Sequence, residues 1–280
     1  MKHPQVNLHQ IIHRLKMAGT NEETRSILNE LINTPLIAPI TDLPIFSTIV
    51  RTRPVESFDM VQTTNDLSYQ RNKLKISLGR ANKAEEAMFY GTYSLHSPRA
   101  QIGSCMETMP CYRESSPSEG DYYSVSGYWQ LIKKMSFYSF LNPYPQKNRA
   151  KWFLDMAEKF EEYAICVRDR LGYSLDEIYA FYDFMHSAFT NDSADNDAYY
   201  LTANMTSDLI MSPEIDGVIY QSVKSVDEKL RNVLCVAIKP SSVDKKMKMT
   251  NALASTVTLG KERMGKMKRT RYDDHILDLK

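Results

Sequence analysis

The chain of 280 residues is long enough for one large domain or two small ones, and its 42% hydrophobic and 25% charged residues are ordinary for a soluble globular protein. Its 35 Lys and Arg residues nearly balance 34 Asp and Glu residues, so net charge gives no general attraction to nucleic acid. The first residues are too polar for a signal peptide, and no apolar run approaches the roughly 18 residues of a membrane span, so we expect a cytoplasmic protein without a membrane partner.

The cysteines point to the same compartment. They form no CxxC pair and have no zinc-finger spacing with histidine. We therefore expect free thiols in a reducing cytoplasm. The four residues are Cys105, Cys111, Cys166 and Cys235.

Two short helices are predicted at the N-terminus. Apolar residues recur at helical spacing over 8–18. Thr20 and Glu23 form a capping-box pattern ahead of a second apolar stripe at 27–32. Three prolines at positions 35, 39 and 44 then end the helical region.

The next segments alternate between strand and loop patterns. The run IFSTIVRTRP at 45–54 is short and β-branched and predicts a strand. Residues 55–85 are polar and irregular, and AMFYGTYS at 87–94 predicts a second strand. Prolines, serines and glycines over 110–127 predict a loop.

A helical block follows this loop. One face of 151–171 is apolar at helical spacing, and Ser174 with Glu177 forms another capping box that opens a helix through about Phe189. An acidic loop is predicted over 191–197. A short helix over 199–211 and two strands, GVIYQSV and NVLCVAIKP, complete the pattern.

Strands at both ends with helices between them predict an α+β fold rather than an alternating parallel one. The predicted parts are an N-terminal helical segment over 1–44, a main domain over 45–240 with a helical insertion at about 110–198, and a basic tail over 241–280. The tail holds nine Lys or Arg residues up to Arg271, a composition that favours a solvated helix face or a frayed end over a nucleic-acid contact.

Three familiar motifs are incomplete in this chain. GKERMGK at 260–266 has P-loop spacing, but Met267 stands where a hydroxyl must reach magnesium. His9 and His13 share a helix face but have no third ligand, so no metal site is predicted. Ser222 has no GxSxG turn around it, which argues against an acyl-transfer nucleophile.

Four segments occur in an order that suggests a shared site. TIVRTR carries Arg51, and LGRANKAEEAMFYGTYS carries Arg80, Asn82 and Tyr90. GSCMET carries Glu107, and DGVIYQSV carries Tyr220 and Ser222, with Asn232 beyond it.

This ordered set resembles the RES-domain family, over roughly residues 45–240. The resemblance implies an ADP-ribosyltransferase-like fold, a mixed, split β-sheet with a cleft for NAD. It also implies a toxin, paired with a neutralising antitoxin protein, that breaks the nicotinamide–ribose bond of NAD with water or phosphate as acceptor. NAD is then the substrate, phosphate a co-substrate, and no further cofactor is expected. The glycine-rich stretch of the family is here the polar NKAEEAM.

The residue types suit that chemistry. The guanidinium of Arg51 matches the pyrophosphate, although Arg53, two residues on, is a rival for this role. Tyr90 can stack on nicotinamide, Glu107 can stabilise positive charge developing on the ribose, and Ser222 can position the substrate by hydrogen bonding. The expected nucleotide-binding residues are Arg80, Asn82, Tyr220 and Asn232.

Two other functions are compatible with the same residues. One is transfer of ADP-ribose onto a protein, which needs the same cleft. The other is a non-catalytic protein that retains the fold and binds a nucleotide or a partner through its helical insertion.

Overall fold

The computed structural model describes residues 6–31, 39–95, 97–114, 116–142, 144, 151–191, 196–210, 213–222, 232–261, 267–277 and 279. These residues form a mixed α/β protein with a mixed β-sheet. Its described helices are α1 (Leu8–Met17), α2 (Asn21–Asn29), α3 (Ser97–Thr108), α4 (Pro110–Arg113), α5 (Lys151–Leu171), α6 (Leu175–Thr190), α7 (Asn196–Asn204) and α8 (Pro240–Lys246). Its described strands are β1 (Ile40–Leu43), β2 (Thr48–Val55), β3 (Phe89–Tyr93), β4 (Gly120–Leu131), β5 (Met135–Phe140), β6 (Gly217–Gln221), β7 (Leu234–Ile238), β8 (Met247–Lys261) and β9 (Met267–Ile276).

The chain divides into two compact units. The first comprises Met1–Asp42, Gln70–Met88 and Ser136–Gln221, and the second comprises Leu43–Tyr69, Phe89–Met135 and Ser222–Lys280. No helix among the described ranges combines the length and apolarity needed to cross a bilayer.

The first unit contains the predicted helices and the parallel part of the sheet. Strands β5 and β6 pair in parallel, from Phe137 opposite Gly217 to Phe140 opposite Tyr220. Helix α6 packs on β6, and the rings of Phe140 and Phe189 stack with their centroids 4.5 Å apart. Helices α1 and α2 form a hairpin, as predicted, and pack on α6 and α7.

The predicted capping box at Ser174 is confirmed; Thr20 caps α2, but the Glu23 carboxylate accepts from the Gly19 N–H and not from that of Thr20. The Thr20 hydroxyl accepts a bond from the Glu23 N–H at 3.2 Å, and α2 begins one residue later. The Ser174 hydroxyl accepts from the Glu177 N–H at 3.2 Å, and the Glu177 carboxylate accepts from the Ser174 N–H at 3.0 Å. Each pair satisfies amide groups that the first turn of a helix leaves without partners.

The second unit is an antiparallel sheet in the order β7-β3-β2-β4-β8-β9, with α3 packed on β2 and β3. The predicted strands at 45–54 and 87–94 are confirmed as β2 and β3. The predicted loop over 110–127 is wrong from Gly120 onward, where β4 begins. Strands β4 and β5 also lie within the stretch 110–198 that we predicted to be helical. Its described helices are the short α4 at its start and, in its later part, α5, α6 and the beginning of α7.

The C-terminal segment differs from the predicted solvated or frayed tail. It contains α8 and the hairpin of β8 and β9, and β8 pairs with β4 from Leu131 to Gly120. Small and β-branched residues in β8, with alternating burial, explain a strand here. Of the P-loop-like sequence at 260–266, residues 262–266 lie outside the described part of the chain.

The two faces of β2 and β4 are chemically different. On one face, here called the α3 face, buried hydroxyls of Thr52 and Ser126 bond to each other at 2.7 Å, and Thr52 also contacts the Cys105 thiol of α3. On the opposite face, Val125 packs with Leu67 in an apolar cluster. Because side chains alternate along a strand, Arg51 belongs to this opposite face.

Strands β2 and β3 separate after only two paired positions. Their register joins Ile49 to Tyr93 and Val50 to Thr92. Beyond these pairs, side chains replace the backbone ladder. The Thr52 N–H donates to the Ser104 hydroxyl at 2.8 Å, and Arg51 Nη1 donates to the Tyr90 carbonyl at 2.8 Å. We call this opening the β2–β3 split.

Candidate functional site

The structure brings two predicted catalytic residues into direct contact. Glu107 lies in the last turn of α3, and Ser222 lies immediately beyond Gln221, the last residue of β6. The Ser222 hydroxyl donates a hydrogen bond to Glu107 Oε1, although 115 positions separate the two residues in the chain. Ser222 is buried and Glu107 is partly exposed, so the pair lies at the edge of the protein interior.

A close helix contact positions this pair. A Cβ on Gly103 would lie 2.5 Å from Val233 Cγ1, a distance that real Cβ atoms do not show. The absence of a side chain at Gly103 therefore lets α3 rest against Val233. The Ser222 N–H donates to the Val233 carbonyl at 3.4 Å, so the same residue supports both halves of the pair. Glu107 is one turn beyond Gly103 and points from the same side of the helix.

Asn232 lies beside this arrangement in the chain. Its Oδ1 is buried and has no hydrogen-bond partner among the described residues. An acceptor in that state is unusual in a protein interior. It is compatible with a role in binding a donor from a ligand.

Among the described residues, Arg51 is held by the strand edge and has no ion-pair partner. Its Nη1 donates to the Tyr90 carbonyl, and its guanidinium carbon lies 5.4 Å from the centroid of the Phe89 ring. Burial, followed by the neighbouring charge of Arg53, lowers the pKa of Arg51 to about 10. Arg51 thus remains a cation at neutral pH even though its environment disfavours the charge.

Tyr90 and Arg51 are joined through the backbone but lie on different faces. The Thr92 hydroxyl donates to the Ala100 carbonyl of α3 at 2.6 Å, which fixes Thr92 on the α3 face. Alternation places the Tyr90 side chain on this same face and Arg51 on the other. Tyr90 and Glu107 therefore lie on the α3 side, and no described hydrogen bond joins Arg51 to Glu107 or Ser222.

Arg53, the alternative candidate for the pyrophosphate-binding arginine, has a different hydrogen-bond partner from Arg51. Its Nη1 donates to the Asp66 carbonyl at 3.1 Å, in the segment that follows β2. The Asp66 carboxylate itself accepts from the N–H groups of Gln62 and Thr63, at 3.1 and 2.9 Å. Arg53 is partly exposed and lies on the same face as Arg51.

The remaining predicted nucleotide-binding residues belong to the first unit. Arg80 donates to the Phe189 and Asn191 carbonyls at 2.5 and 2.9 Å, at the C-terminal end of α6. Its guanidinium also lies 5.1 Å from the ring of Tyr199 and 5.9 Å from that of Tyr220. In this position Arg80 caps the negative end of a helix, and cations are favourable there.

Asn82 is buried and acts on its own loop. Its side-chain amide donates to the Ser77 and Lys83 carbonyls at 3.0 and 2.7 Å. These bonds close the turn in which Gly79 bridges to Asn82. Tyr220 is also buried, with its ring centroid 5.3 Å from that of Phe189.

The next feature is the state of the histidine and cysteine side chains, which could in principle bind a metal ion or form disulfides. His9 lies 3.2 Å from the Asp176 carboxylate on the protein surface. Within the described ranges, no group of three His, Cys, Asp or Glu residues has a metal-binding arrangement. All four cysteines are free thiols, as predicted.

One residue of the site, Gly103, was not identified from the sequence. Its signal is weak, since a glycine within GSCMET marks a close backbone approach only once a helix is known.

Comparisons with protein-family models, with curated proteins and with solved structures give no match for this chain. The fold and the site by themselves define a mixed α/β protein with a split antiparallel sheet and a carboxylate–hydroxyl pair at the end of α3.

Proposed function

We propose that the protein is an NAD-consuming enzyme that cleaves the nicotinamide–ribose bond, with an ADP-ribosyltransferase-like fold. The single observation that carries the proposal is the hydrogen bond between Ser222 and Glu107. The sequence pattern predicts both residues for this chemistry, and they are in contact in the structure. The β2–β3 split adds support, because it opens the sheet next to Tyr90 and α3.

The chemistry assigned to Glu107 is electrostatic. When the C–N bond breaks, its electron pair neutralises the pyridinium nitrogen and positive charge develops on the ribose. One carboxylate oxygen, Oε1, accepts from Ser222, and Oε2 has no described hydrogen-bond partner. Oε2 is therefore available to a ribose hydroxyl, and the negative charge lies where the ribose cation forms.

The other residues bind and orient. Ser222 fixes the Glu107 carboxylate, and the Tyr90 ring on the α3 face can stack on nicotinamide. The acceptor, water or phosphate, forms the new C–O bond to the ribose and loses a proton as it does so. The Arg51 side chain belongs to the opposite face of β2, so its contact with the substrate requires its bond to the Tyr90 carbonyl at the split to open.

The direct test is incubation of the purified protein with NAD, with nicotinamide release followed with and without phosphate. Glu107→Gln removes the charge at constant size, and we expect the rate to fall by about 10²–10³. Glu119→Gln is the matched control, because Glu119 is exposed beyond α4, and its rate should equal that of the wild type. A folded Glu107→Gln variant with full activity would remove the basis of the proposal.

A cellular consequence follows from this activity. We propose that the protein acts as a toxin whose expression depletes NAD and that a protein antitoxin opposes it. Expression of the wild type should lower cellular NAD and arrest growth, while the Glu107→Gln variant at equal abundance should do neither. Growth arrest by both proteins would instead indicate an effect unrelated to NAD cleavage.

A further inference from the structure

We propose that one end of the second unit binds the surface of a membrane that contains anionic lipid. This end, here called the Phe46 end, consists of residues 44–47, 131–134 and 245–248. The inference goes beyond the proposed function and does not depend on cleavage of NAD. It departs from the expectation of no membrane partner, which rests on the lack of a spanning segment, because contact with a membrane surface requires no such segment.

Three chain segments lie side by side at the Phe46 end. Where the β2–β4 ladder ends, the Phe46 N–H donates to the Leu131 carbonyl at 2.8 Å. On the other side of β4, the Ile132 N–H donates to the Lys246 carbonyl at 2.8 Å, one residue before β8 begins. Phe46, Ile132 and Lys246 are therefore neighbours across the end of the sheet.

Apolar side chains at this end are exposed to solvent. Ile45 is 49% exposed, Phe46 is 71% exposed and Ile132 is 52% exposed. Single exposed apolar side chains are ordinary on protein surfaces, whereas adjacent ones with a polar rim are typical of an interaction site. The position of Phe46 beside Ile132 therefore indicates a surface that contacts something other than water.

The backbone of Phe46 is strained. Its φ is 69°, in the left-handed region that glycine adopts readily and that a bulky residue seldom adopts. In the turn that contains Phe46, the Ser47 N–H donates to the Pro44 carbonyl at 3.2 Å. Glycine would form this turn without strain, so the fold by itself favours glycine over phenylalanine. A strained and exposed aromatic residue indicates that its ring has a function outside the folded core.

Lysines surround these apolar side chains. The three segments of the Phe46 end contain no Asp or Glu. Two acidic residues lie close to them along the chain, and each has a partner, since Asp244 accepts from the Tyr69 hydroxyl at 2.8 Å and Asp42 accepts from the Ser136 hydroxyl at 2.7 Å. The surface is therefore positive and attracts anions. Its lysines are Lys133, Lys134, Lys245, Lys246 and Lys248, of which Lys246 is partly buried and the others are exposed.

The composition of the Phe46 end favours lipid over a protein partner. Protein interfaces are depleted in Lys and enriched in Arg, Tyr and Trp, whereas this end has Lys, Phe and Ile and none of those three. A specific protein interface also buries roughly 1,200 Å² or more, which a few apolar side chains do not supply. A lipid surface needs no complementary pocket, because apolar side chains enter the acyl boundary while lysines contact anionic headgroups.

Sedimentation of the full chain with lipid vesicles tests the proposal. We expect binding at low salt to vesicles of equimolar phosphatidylcholine and phosphatidylserine, and binding that is about tenfold or more weaker to phosphatidylcholine alone. High salt should release the protein, because it screens the lysine charges. No binding to the anionic vesicles at low salt would overturn the proposal. Binding to polyglutamate but not to the vesicles would also overturn it, in favour of an acidic protein partner.

Phe46→Gly separates lipid binding from folding. This substitution removes the ring and relieves the backbone strain, so vesicle affinity should fall about tenfold while the free energy of unfolding does not fall. The control is Leu74→Gly, which removes an exposed apolar side chain in the first unit and should bind as the wild type does. Wild-type vesicle affinity in Phe46→Gly would reject the site.

Substitution of lysines tests the charge of this end. The double variant Lys133→Gln/Lys134→Gln should lose roughly thirtyfold in vesicle affinity, since each lysine near an anionic membrane contributes about fivefold. The control Lys73→Gln/Lys75→Gln makes the same change in net charge at exposed positions on either side of Leu74 and should retain wild-type affinity. An equal loss in both double variants would show that net charge alone matters and would reject the Phe46 end as the site.

Discussion

Substitution of Gly103 by alanine tests whether the contact between α3 and Val233 positions the candidate site. The added Cβ would meet Val233 Cγ1 at 2.5 Å, and two further Val233 atoms at 3.4 Å. Carbon atoms pack best at about 3.5–4.0 Å, so α3 must move away from Val233 by about 1 Å. Val233 is fully buried and its side chain is short and stiff, so it cannot yield in place of the helix.

The magnitude follows from two opposing effects. Overpacking of a well-packed interior costs about 1–3 kcal/mol, whereas alanine is better than glycine within a helix by about 1 kcal/mol. We therefore expect Gly103→Ala to lower the free energy of unfolding by about 1 kcal/mol, where an unstrained site would show a gain. A displacement of about 1 Å at Glu107 is also expected to reduce NAD cleavage about 10²-fold.

Urea unfolding and nicotinamide release measure the two effects, and a double-mutant cycle isolates the contact. Val233→Ala alone should destabilise by about 2 kcal/mol, because it leaves a cavity. Combined with Gly103→Ala it should cost less than the sum, with a coupling of about 1 kcal/mol, because the two side chains no longer collide. Gly103→Ala that is more stable than the wild type and fully active would refute the reasoning.

Four other measurements test the remaining structure. Ser174→Ala should reduce the free energy of unfolding by about 1 kcal/mol through loss of the α6 cap, whereas Ser187→Ala on the exposed side of that helix should not, and equal values would contradict the cap. Arg80→Met should destabilise by about 1.5–3 kcal/mol because two helix-end carbonyls lose a charged donor; a changed KM for NAD at unchanged stability would instead indicate nucleotide binding. Burial raises the pKa of Cys111 to about 11, so the folded state keeps a proton that the unfolded state releases, and stability relative to Cys111→Ser should fall as pH rises from about 9 toward 11. A thiol reagent at pH 8 should modify the exposed Cys166 well before Cys111, and equal rates would oppose the assigned burial.

Helices were predictable from this sequence because their signals are local. Thr20 and Ser174 begin helices through bonds to residues three positions away, and the apolar stripe of α5 and α6 has a regular period. The strands predicted correctly, β2, β3, β6 and β7, are rich in β-branched or aromatic residues. None of these features depends on distant parts of the chain.

Strand β4 was missed for a physical reason. Its serines favour a loop, yet Ser124 and Ser126 are fully buried on the α3 face, where the Ser126 hydroxyl is satisfied by its bond with Thr52. A strand whose buried face carries hydroxyl groups has the amino-acid composition of an exposed segment. Composition alone therefore predicts a loop. Gly120 also favours a turn in the sequence, and the structure places it at the start of the strand with a φ of 135°.

For the candidate site, the sequence predicts which residues take part but not how they are arranged in space. The order of the segments identified Glu107 and Ser222, but their contact depends on how closely α3 approaches Val233. The sequence also could not show that Arg51 and Glu107 belong to opposite faces of the sheet. Which side chains of a strand face a given helix depends on the elements that pack on each side of the sheet.

The opposite facing of Arg51 and Glu107 limits how a single substrate could use both. A ligand on one face of an intact sheet cannot reach side chains on the other, because the backbone ladder separates them. Here the ladder between β2 and β3 stops after Val50 and Thr92, and the next polar groups are bridged by Ser104 and Arg51. Ser104 is three residues before Glu107 and shares its side of α3. On the proposal above, a dinucleotide with its ribose at Glu107 and its pyrophosphate at Arg51 crosses the sheet only where the Thr52–Ser104 and Arg51–Tyr90 bonds open, so the proposed activity depends on those two bonds.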